Sequence, residues 1–421
     1  MRELEVWLND DLVGYLTENR KGGRFRYTSR VEEVQLGNPL LSLSLPVKSK
    51  SYGESKTENW FMGLLPEGKR RQEVAQSLGL SEHDWIGLLA EIGWECAGAV
   101  RVFEAGKVDS RSGFYEQLTI KELATKLSDV SVRMPQQGTD DFRMSLGGFQ
   151  EKMCVMMPEL PETISHLEKV EAYLPLGDAP STHILKPEDT QLYPGCAESE
   201  AWAMQVAGCA TRCSRIALLQ IEGAPDTLVV ERYDRKRDVA NRIQRIHQED
   251  ACQALGLPPH NKYAAKTMPK GDDPTYKAMA DLLLMYAADP LGEQCELLRQ
   301  MVVNCALGNW DAHAKNTSFL FTENATVSVA PMYDVVPIAE IEPRTTVMSL
   351  RINGKLDPIL ITRADIIAEA MSWGITPNLA EEIIATCLDD LKEGLNRAAI
   401  AYPQAARRHE AAVIKRIERL R

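Results

Sequence analysis

The sequence lacks any run of about 18 apolar residues, which is the length that a membrane-spanning helix needs. Its densest apolar stretch, residues 282–288, is bounded on both sides by aspartate. The first residues include Arg2, Glu3 and Glu5 and form no apolar segment, which argues against a secretory signal. We therefore expect a cytoplasmic protein that makes no membrane contact.

Paired cysteines and an excess of basic residues are also missing. The nine cysteines are an odd number and lie scattered along the chain, which is typical of reduced thiols rather than of a disulfide framework. Cys209 and Cys213 lie close together, but no second pair of Cys or His follows at the spacing of a zinc site. The net charge of −12, from 48 basic and 60 acidic residues, argues against non-specific binding to nucleic acid and leaves only a local basic patch open.

What is present is an ordinary globular composition. Apolar residues make up 44% of the chain and charged residues 26%, which excludes disordered, collagen-like and coiled-coil proteins. At about 150 residues per domain, the 421 residues predict two to three domains. The chain shows no internal repeat and no low-complexity tract.

In the N-terminal half, alternating polarity and turn residues predict a β-hairpin, with strands at 3–8 and 12–16 joined by a turn at Asn9 and Asp10. The other elements expected here are, in order, a third strand (24–34), a helix interrupted by Pro66 and Gly68 (58–78), a helix capped by Ser81, a strand (98–103) and a helix capped by Thr119 (119–127).

The pattern changes near residue 246. Residues 142–245 show mostly β patterning with one helix at 198–207, and the chain then becomes helical. The helices expected in this second part are 276–288, 291–307, 364–371, 378–395 and 404–420. The sequence therefore predicts an α+β protein, with a mixed N-terminal half followed by a helical C-terminal half.

The most informative segment is GNWDAHAKN at residues 308–316, which lies between an apolar helix and an apolar strand. Polar residues between two buried elements need partners that offset their desolvation. Asp311 and Asn316 have the D-x-x-x-x-N spacing of a protein-kinase catalytic loop, where the Asp accepts the hydroxyl proton and the Asn binds magnesium. We interpret His313 as a packing or hydrogen-bonding residue, since Asp311 already fills the role of the base.

Asp334, in the segment APMYDV at residues 330–335, follows this loop after a short strand-like run. It is suited to supply a second metal ligand, because Mg²⁺ prefers carboxylate and amide oxygens together with phosphate oxygens and water. The alternative makes Asp311 a cap and Asp334 a turn residue. Each motif alone favours that alternative, whereas the two motifs in this order favour a kinase.

Two segments further upstream support the kinase interpretation. Residues 143–152, RMSLGGFQEK, are a glycine-rich loop whose backbone N–H groups are suited to bind phosphates, and Lys186 ends a short strand, where kinases place an ATP-contacting lysine. Glu200 follows on a predicted helix and is placed to pair with that lysine. In isolation, a hairpin turn and a solvated lysine explain these segments better. Residues 63–70, GLLPEGKR, nearly match a P-loop, but they lack its Ser or Thr and have a helical context, so we reject a P-loop there.

These motifs, in this order, resemble the HipA family of serine/threonine-kinase toxins from the bacterial HipA–HipB toxin–antitoxin systems. The resemblance runs nearly from end to end of the chain. The other matching blocks are LEVWL (4–8), LVG (12–14), WFMGLLPEG (60–68), EIGWECAGAV (91–100), THILKP (182–187), VERYDR (230–235) and HQED (247–250). One departure is Phe149, a bulky aromatic residue where relatives often carry a small one.

The resemblance implies a kinase-like two-lobed fold, with an α/β N-terminal lobe that contains β-hairpins and a helical C-terminal lobe. We expect an N-terminal subdomain at 1–105, an ATP-binding lobe at 106–245 and a C-terminal lobe with the catalytic loop at 246–421. The cofactors implied are ATP and Mg²⁺. The residues implied are Asp311 as catalytic base, Asn316 and Asp334 as magnesium ligands, Lys186, Gly147 and Gly148 at the ATP phosphates, Glu231 and Tyr233 at the adenine, and Ser145 as the autophosphorylated serine.

The function that the resemblance implies is that of a toxin kinase acting on a protein of translation. In well-known relatives the target is glutamyl-tRNA synthetase, and the consequences are growth arrest and persistence. The implied partners are a HipB-like helix-turn-helix antitoxin and, through that complex, operator DNA. The alternatives are a co-repressor that holds its antitoxin on operator DNA with weak or no kinase activity, and a small-molecule kinase. The basic residues between Arg407 and Arg421 are either a solvated face or a contact with DNA or an acidic partner.

Overall fold

The structure, a computed structural model, describes residues 1–107, 113–131, 152–160, 171–264, 273–322, 325–342 and 345–421. Its strands are β1 (Glu3–Leu8), β2 (Asp11–Asn19), β3 (Gly22–Tyr27), β4 (Val100–Glu104), β5 (Phe114–Leu118), β6 (Met153–Val155), β7 (Ala172–Leu176), β8 (His183–Pro187), β9 (Ile216–Leu219), β10 (Thr227–Glu231), β11 (Arg235–Arg237), β12 (Ile243–Arg245), β13 (Gln248–Asp250), β14 (Ser318–Phe321) and β15 (Val327–Val329). Its helices are α1 (Ser29–Gln35), α2 (Glu54–Met62), α3 (Gly68–Ser77), α4 (Trp85–Ile92), α5 (Ile120–Ser131), α6 (Cys196–Ala210), α7 (Ala251–Leu255), α8 (Tyr276–Tyr286), α9 (Pro290–Leu307), α10 (Ile338–Ile341), α11 (Arg363–Ser372), α12 (Pro377–Ala401) and α13 (Pro403–Leu420). This mixture confirms the α+β class.

The N-terminal region is built on a four-stranded antiparallel sheet in the order β3-β2-β1-β4. Alternate side chains of a strand face opposite sides, so Leu4 and Val6 of β1 are fully buried while Glu3 is exposed. Trp60 and Phe61 of α2 close the same core, with ring centroids 4.8 Å apart. The predicted hairpin at the start of the chain is therefore present, and its apolar face is covered by helices.

Two predicted boundaries in this region are wrong. The third strand, predicted at 24–34, ends at Tyr27, because the Thr28 side chain caps α1 by accepting a hydrogen bond from a backbone N–H of that helix. None of the residues of α1 is buried, so no apolar stripe marked it as a helix. The cap of α4 is Asp84 rather than Ser81, since the Asp84 carboxylate accepts a backbone N–H of the first turn at 3.0 Å.

The middle region contains a second antiparallel sheet in the order β6-β8-β10-β9. One face of this sheet packs against α5, through residues that include Leu127, Leu185 and Val229. The other face meets α6, where Trp202 packs with Leu228. Because side chains alternate along β8, Leu185 enters the α5 core, and Lys186 points to the opposite side, toward α6.

The C-terminal region is mainly helical, as predicted. Helix α9 carries eleven buried residues among its eighteen, and α12 packs against both α6 and α9, so these helices share one core with the α6 face of the sheet. The sequence pattern did not predict the three-stranded sheet β13-β14-β15 within this region. Its strands are short and β13 is distant in sequence from β14, which leaves no local signal for the pairing.

A buried ionic cluster joins the N-terminal region to the rest of the chain. The Glu95 carboxylate accepts hydrogen bonds from Arg232 at 2.8 Å, Arg235 at 3.0 Å and Arg245 at 3.1 Å. Burial opposes ionisation of Glu95, but the three guanidinium groups outweigh it and lower its pKa to about 2. Removing one partner of such a cluster leaves a buried charge uncompensated, so the cluster fixes how the two regions meet.

Two expectations drawn from absences can be compared with the structure. All nine cysteines lie in described residues and none forms a disulfide, in agreement with reduced thiols. Among the described helices, none combines the length and the apolar character required to cross a membrane.

Candidate active site

A cleft opens between the sheet that carries Lys186 and the C-terminal lobe. It contains about 1000 Å³ of space outside protein atoms, including its open mouth. Five residues that were predicted to bind ATP or magnesium line it, namely Lys186, Glu231, Tyr233, Asn316 and Asp334. Asp311 lies at the start of the loop that carries Asn316. The fold thus brings together side chains that are as far as 148 positions apart in the chain.

The centre of the cleft is a lysine held between two carboxylates. Lys186 Nζ lies 2.7 Å from Glu200 Oε1 and 2.6 Å from Asp334 Oδ1. Glu200 is almost fully buried in α6, whereas the side chain of Asp334 is 39% exposed and faces the cleft. Asp334 has a φ of +58°, a left-handed conformation that Asp tolerates better than most residues. The predicted contact of Lys186 with Glu200 is therefore present, and Asp334, which was predicted as a metal ligand, contacts the same lysine.

The three charges change one another's protonation. Burial disfavours the Lys186 ammonium, but the carboxylates of Asp334 and Glu200 outweigh burial and raise its pKa. Burial also opposes the charge of Asp334, yet Lys186 holds the pKa of that carboxyl well below its usual range. For Glu200, burial is the stronger influence and raises the pKa, since Lys186 offsets it only in part. The lysine thus stays charged, and Asp334 stays an anion.

The predicted catalytic loop folds back on Asp311. The backbone carbonyl of Asp311 accepts the His313 N–H at 2.7 Å and the Asn316 side-chain amide at 3.3 Å. The Asp311 carboxylate accepts a hydrogen bond from Tyr263, and Ser349 Oγ lies 3.5 Å from its Oδ1. Burial and the nearby charge of Asp334 raise the pKa of Asp311. This raised pKa makes Asp311 a better proton acceptor than an exposed aspartate.

Gly308 connects α9 to this loop in a way that excludes a side chain. It ends the helix with a φ of +72°, and an added Cβ would lie 2.8 Å from Arg416 and 2.9 Å from Ala339. Arg416 of α13 donates to the Ala306 carbonyl at 3.0 Å and to the Leu307 carbonyl at 3.4 Å, so it binds the carbonyl end of α9. The last helix therefore supports the start of the catalytic loop.

Two other arginines of α13, and Arg421 directly after it, also contact groups of the same chain. Arg408 donates to the Pro194 carbonyl at 3.2 Å, Arg419 donates to the Pro358 carbonyl at 2.9 Å, and Arg421 pairs with Asp389. These arginines are thus used at least partly in packing the helix onto its neighbours. The Arg and Lys side chains of this segment other than Arg416 nevertheless remain exposed to solvent.

His313 agrees with its interpretation as a packing residue. It is 7% exposed, and its ring meets the edge of the Tyr263 ring with centroids 5.1 Å apart. Burial lowers the pKa of His313 to about 3, so the imidazole is neutral near pH 7. This buried neutral ring packs the loop next to Asp311 against Tyr263.

The predicted adenine contacts lie at the end of β10. Glu231 is the last residue of that strand, and its carboxylate pairs with Arg215 at 2.9 Å. Tyr233 packs against Tyr333 with ring centroids 5.6 Å apart, and its hydroxyl contacts Gln248. Arg232, between them, is buried in the Glu95 cluster, which fixes the backbone of this segment.

Three predicted residues lie outside the described part of the chain, namely Ser145, Gly147 and Gly148. Lys152, the last residue of the same glycine-rich motif, is described and lines the cleft. Burial and the nearby Lys186 charge lower the pKa of Lys152. The cleft therefore contains a second lysine beside Lys186, to which the sequence assigned no role.

The sequence also gave no role to Glu67, Asp250, Lys262 and Tyr263, which surround the catalytic loop. Glu67 belongs to the rejected P-loop match, and the structure agrees with that rejection, since no strand precedes the segment and α3 starts at Gly68. Lys262 Nζ nevertheless lies 2.9 Å from the Glu67 carboxylate. These residues carry no motif of their own, so only their positions in space connect them to the site.

The residues of the cleft fit a nucleotide with a divalent cation. Among the described residues, no three His, Cys, Asp or Glu side chains form a metal-binding cluster, so an ion here would need additional oxygen ligands. Asp334 and Asn316 offer a carboxylate and an amide oxygen, and phosphate oxygens complete such a set. Lys186 and Lys152 add two lysine side chains to the lining of the same cleft.

Comparisons with known proteins cover nearly the whole chain. Residues 144–395 match the family model of the HipA-like C-terminal domain, and residues 4–103 match that of the HipA N-terminal domain. A protein of Sinorhizobium fredii named "Putative kinase Y4mE" is 31% identical over 412 residues, which are 94% of this chain and 92% of that protein. The "Serine/threonine-protein kinase toxin HipA" of Shewanella oneidensis is 26% identical, over 96% of this chain and 88% of that protein.

A solved structure has the same fold. It is HipA of Shewanella oneidensis MR-1, in a complex with HipB and its operator DNA. The TM-score is 0.81 at 22% sequence identity, and the match covers 99% of this chain and 97% of that one. This likeness confirms the two-lobed kinase-like architecture expected from the sequence.

Proposed function

This chain belongs to the HipA family, and from that premise we propose that it is an ATP-dependent kinase that phosphorylates serine or threonine in a protein. The observation that carries the proposal is the lysine between two carboxylates, Lys186 with Glu200 and Asp334, beside a loop with Asp311 and Asn316. A lysine paired with a helix glutamate, together with these loop residues, is the arrangement that kinases use.

Each residue then has a role set by its chemistry. Phosphoryl transfer needs mainly positioning and charge neutralisation, and Lys186, held by Glu200 at 2.7 Å, is suited to contact the α- and β-phosphates. Asn316 and Asp334 would hold magnesium, which supplies positive charge at the phosphate oxygens when bound. Asp311 orients the acceptor hydroxyl and accepts its proton, while the bond from the γ-phosphorus to the acceptor oxygen forms and the bond to ADP breaks.

The remaining ligand contacts belong to the same proposal. Glu231 and Tyr233 contact the adenine, and Gly147 and Gly148 bring backbone N–H groups to the phosphates. The proposed division is an N-terminal subdomain (1–105), an ATP-binding lobe (106–245) and a C-terminal lobe (246–421).

The first experiment compares two Asp-to-Asn substitutions. Asp311→Asn should reduce incorporation of labelled phosphate from ATP into protein by at least about 1000-fold, because it removes the proton acceptor without changing the volume of the side chain. Asp281→Asn is the control, since Asp281 pairs with Lys277 on the surface of α8. Equal activity of the two variants would show that Asp311 is not the base.

The acceptor that we propose is a protein of translation, with an aminoacyl-tRNA synthetase as the first candidate. Support comes from the family, and the test is a phosphoproteome recorded after induction of the wild-type chain and of Asp311→Asn. A phosphosite on such a protein, present only with the wild-type chain, is the expected result. Phosphorylated metabolites instead of proteins would favour the small-molecule alternative.

We also propose that the enzyme phosphorylates Ser145 and thereby inactivates itself. A phosphate there adds about −1.5 to −2 charges at neutral pH next to the proposed site of the ATP phosphates. Intact-mass analysis after incubation with Mg²⁺-ATP should show one added phosphate that Ser145→Ala abolishes. Nucleotide titration of the separated forms should then show weaker binding by the phosphorylated one.

The proposed partners are a small helix-turn-helix antitoxin and, through it, operator DNA. The support is the solved HipA relative, which is in a complex with HipB and operator DNA. Co-purification from the native gene neighbourhood should recover both proteins, and the complex should bind operator DNA more tightly than the antitoxin alone. If the complex forms but wild-type protein transfers no phosphate, the co-repressor alternative is favoured.

A further inference from the structure

Glu67, a glutamate of the N-terminal region, contacts two lysines that are linked to the predicted catalytic loop. Glu67 lies at the start of α3 and is 8% exposed. Its Oε2 is 2.9 Å from Lys262 Nζ, and its Oε1 is 3.8 Å from Lys315 Nζ. Lys262 and Lys315 are themselves buried, so each ammonium needs a carboxylate close by. Glu67 serves both.

Lys262 connects Glu67 to the proposed base. The backbone carbonyl of Lys262 accepts the N–H of Ala314, in the middle of the catalytic loop, at 3.1 Å. The next residue, Tyr263, hydrogen-bonds the Asp311 carboxylate. A shift of the Lys262 side chain would therefore move one backbone contact and one side-chain contact of the loop together.

Lys315 connects Glu67 to the proposed metal ligands. Its Nζ lies 2.5 Å from Asp250 Oδ2 and donates to the Gly63 carbonyl at 3.3 Å, so it inserts between the N-terminal region and α7. Its backbone carbonyl accepts the Tyr333 hydroxyl at 2.7 Å. Lys315 is followed directly by Asn316, and Tyr333 directly by Asp334.

The charge balance of this cluster depends on Glu67. Two buried ammonium groups face two carboxylates, Glu67 and Asp250, and Asp250 is already the cap of α7. Replacing the Glu67 carboxylate by a neutral amide leaves two cations with one anion. The least costly response is for Lys262 to move toward solvent, which displaces the loop contacts that it holds.

We propose that Glu67 is a positioning residue for phosphoryl transfer, supplied by the N-terminal region and acting on Asp311 and Asn316 through Lys262 and Lys315. This inference rests on the proposed kinase function. It assigns the N-terminal region a part in catalysis, in addition to any part in binding a partner.

The test compares Glu67→Gln with Glu73→Gln. Glu73 is on the same helix and pairs only with Lys69 and Arg70 in the contacts described, so it controls for the loss of one negative charge from α3. Glu67→Gln should lower kcat by about 100-fold, the effect expected of a misplaced catalytic group, with KM for ATP within about threefold of wild type. Glu67→Asp, which keeps the charge at a shorter reach, should recover part of kcat.

A second measurement does not depend on activity. Hydrogen exchange of the backbone amides at residues 312–316 should be faster in Glu67→Gln than in Glu73→Gln, with Ala314 most affected. If exchange there is unchanged, Glu67 does not position the loop, whatever the kinase assay shows. If exchange is faster but wild-type protein transfers no phosphate, the kinase proposal fails and the link between Glu67 and the loop stands.

If Glu67→Gln does not give folded protein, Lys262→Met carries the same test. Lys262→Met should lower kcat and speed hydrogen exchange at Ala314 in the same way, because it removes the ammonium group through which Glu67 is proposed to act on the loop. Adding Glu67→Asp to Lys262→Met should then change kcat less than Glu67→Asp changes it alone. Fully additive losses in kcat would overturn the proposal.

Discussion

Glu200 and Asp334 share a single ammonium group, Lys186 Nζ, at 2.7 Å and 2.6 Å. One of these carboxylates is buried in α6 and the other faces the cleft, so the lysine joins the helical core to the site surface. The two contacts have different consequences. The first one bears on stability, and the second one bears on ligand binding.

The stability consequence is tested by Lys186→Met. This substitution leaves the buried Glu200 carboxylate without its cation and should lower the free energy of unfolding by about 3 kcal/mol. Adding Glu200→Gln should restore most of that loss, because the double variant has no unpaired buried charge. Chemical denaturation measures both variants, and neither should transfer phosphate. If Lys186→Met alone is as stable as wild type, Glu200 becomes protonated in that variant with no loss of unfolding free energy.

The role of Asp334 in ligand binding is tested by the substitution Asp334→Asn. This variant should bind Mg²⁺-ATP at least about 10-fold more weakly while binding adenosine almost as wild type, since the proposed contacts of Asp334 are with the phosphates and the ion rather than with the adenine. Calorimetry with both ligands gives the comparison. Asp311→Asn is the control and should keep near wild-type affinity for both. Equal losses for both ligands in Asp334→Asn would place Asp334 in the structure rather than in the metal site.

Glu249 should make stability depend on pH. Its carboxylate is buried, and although it accepts Leu43 N and Trp60 Nε1 at 2.8 Å each, burial raises its pKa to about 7. The folded protein then binds a proton that the unfolded chain, with the ordinary glutamate pKa, releases. This contribution is complete below about pH 4.5 and is lost as the pH rises through 7. Relative to Glu249→Gln, which does not titrate, wild type should lose roughly 3 kcal/mol of unfolding free energy between pH 4.5 and 8. A constant difference between the two proteins would contradict the raised pKa.

Gly98 and Gly106 have similar backbone angles, but only Gly98 lies against β13. Comparing alanine substitutions at the two positions therefore measures the cost of crowding that contact. Gly98 has a φ of +74° and its added Cβ would lie 2.7 Å from Gln248 N, whereas Gly106 has a φ of +80° and nothing within 4 Å. Gly106→Ala should cost about 1 kcal/mol of unfolding free energy, from the left-handed backbone alone. Gly98→Ala should lower the free energy of unfolding by roughly a further 1 to 3 kcal/mol, because the added Cβ clashes with the backbone of Gln248, which is less free to move than a side chain. Equal losses of unfolding free energy in both variants would show that the backbone at this contact shifts to accommodate the added Cβ.

The parts of the site that the sequence predicted depend on short spacings. Asp311 and Asn316 lie in one loop whose motif is local, and Glu200 follows Lys186 by fourteen positions, within one strand–helix unit. Strand alternation and helix periodicity then fix the directions of these side chains. This is why the Lys186–Glu200 contact was predictable before any coordinates.

The parts that were not predicted depend on long-range contacts or on competing local signals. Lys262 reaches Glu67 across 195 positions, and Lys315 reaches Gly63 across 252, and neither pair carries a motif. For α4, the pattern predicted Ser81 as the cap, whereas the structure has Asp84. Only the actual path of the chain favours Asp84, which also pairs with Arg2 at 2.7 Å. Such choices are decided by tertiary packing, which local propensity does not contain.

The support that Arg416 gives to the end of α9 has a consequence for biosynthesis. The two partners are 110 positions apart, so the ribosome completes α9 and the catalytic loop well before it adds the arginine that holds them. At 5 to 20 residues per second, this interval lasts roughly 5 to 20 s. From the addition of Asp334 until that of Arg416, the nascent chain has the proposed site side chains but lacks the group that binds the carbonyl end of α9. A chain released early, by a nonsense codon or a stalled ribosome, carries the same defect permanently. Under the proposed kinase function, phosphoryl transfer is therefore expected to begin only once the last helix has been made.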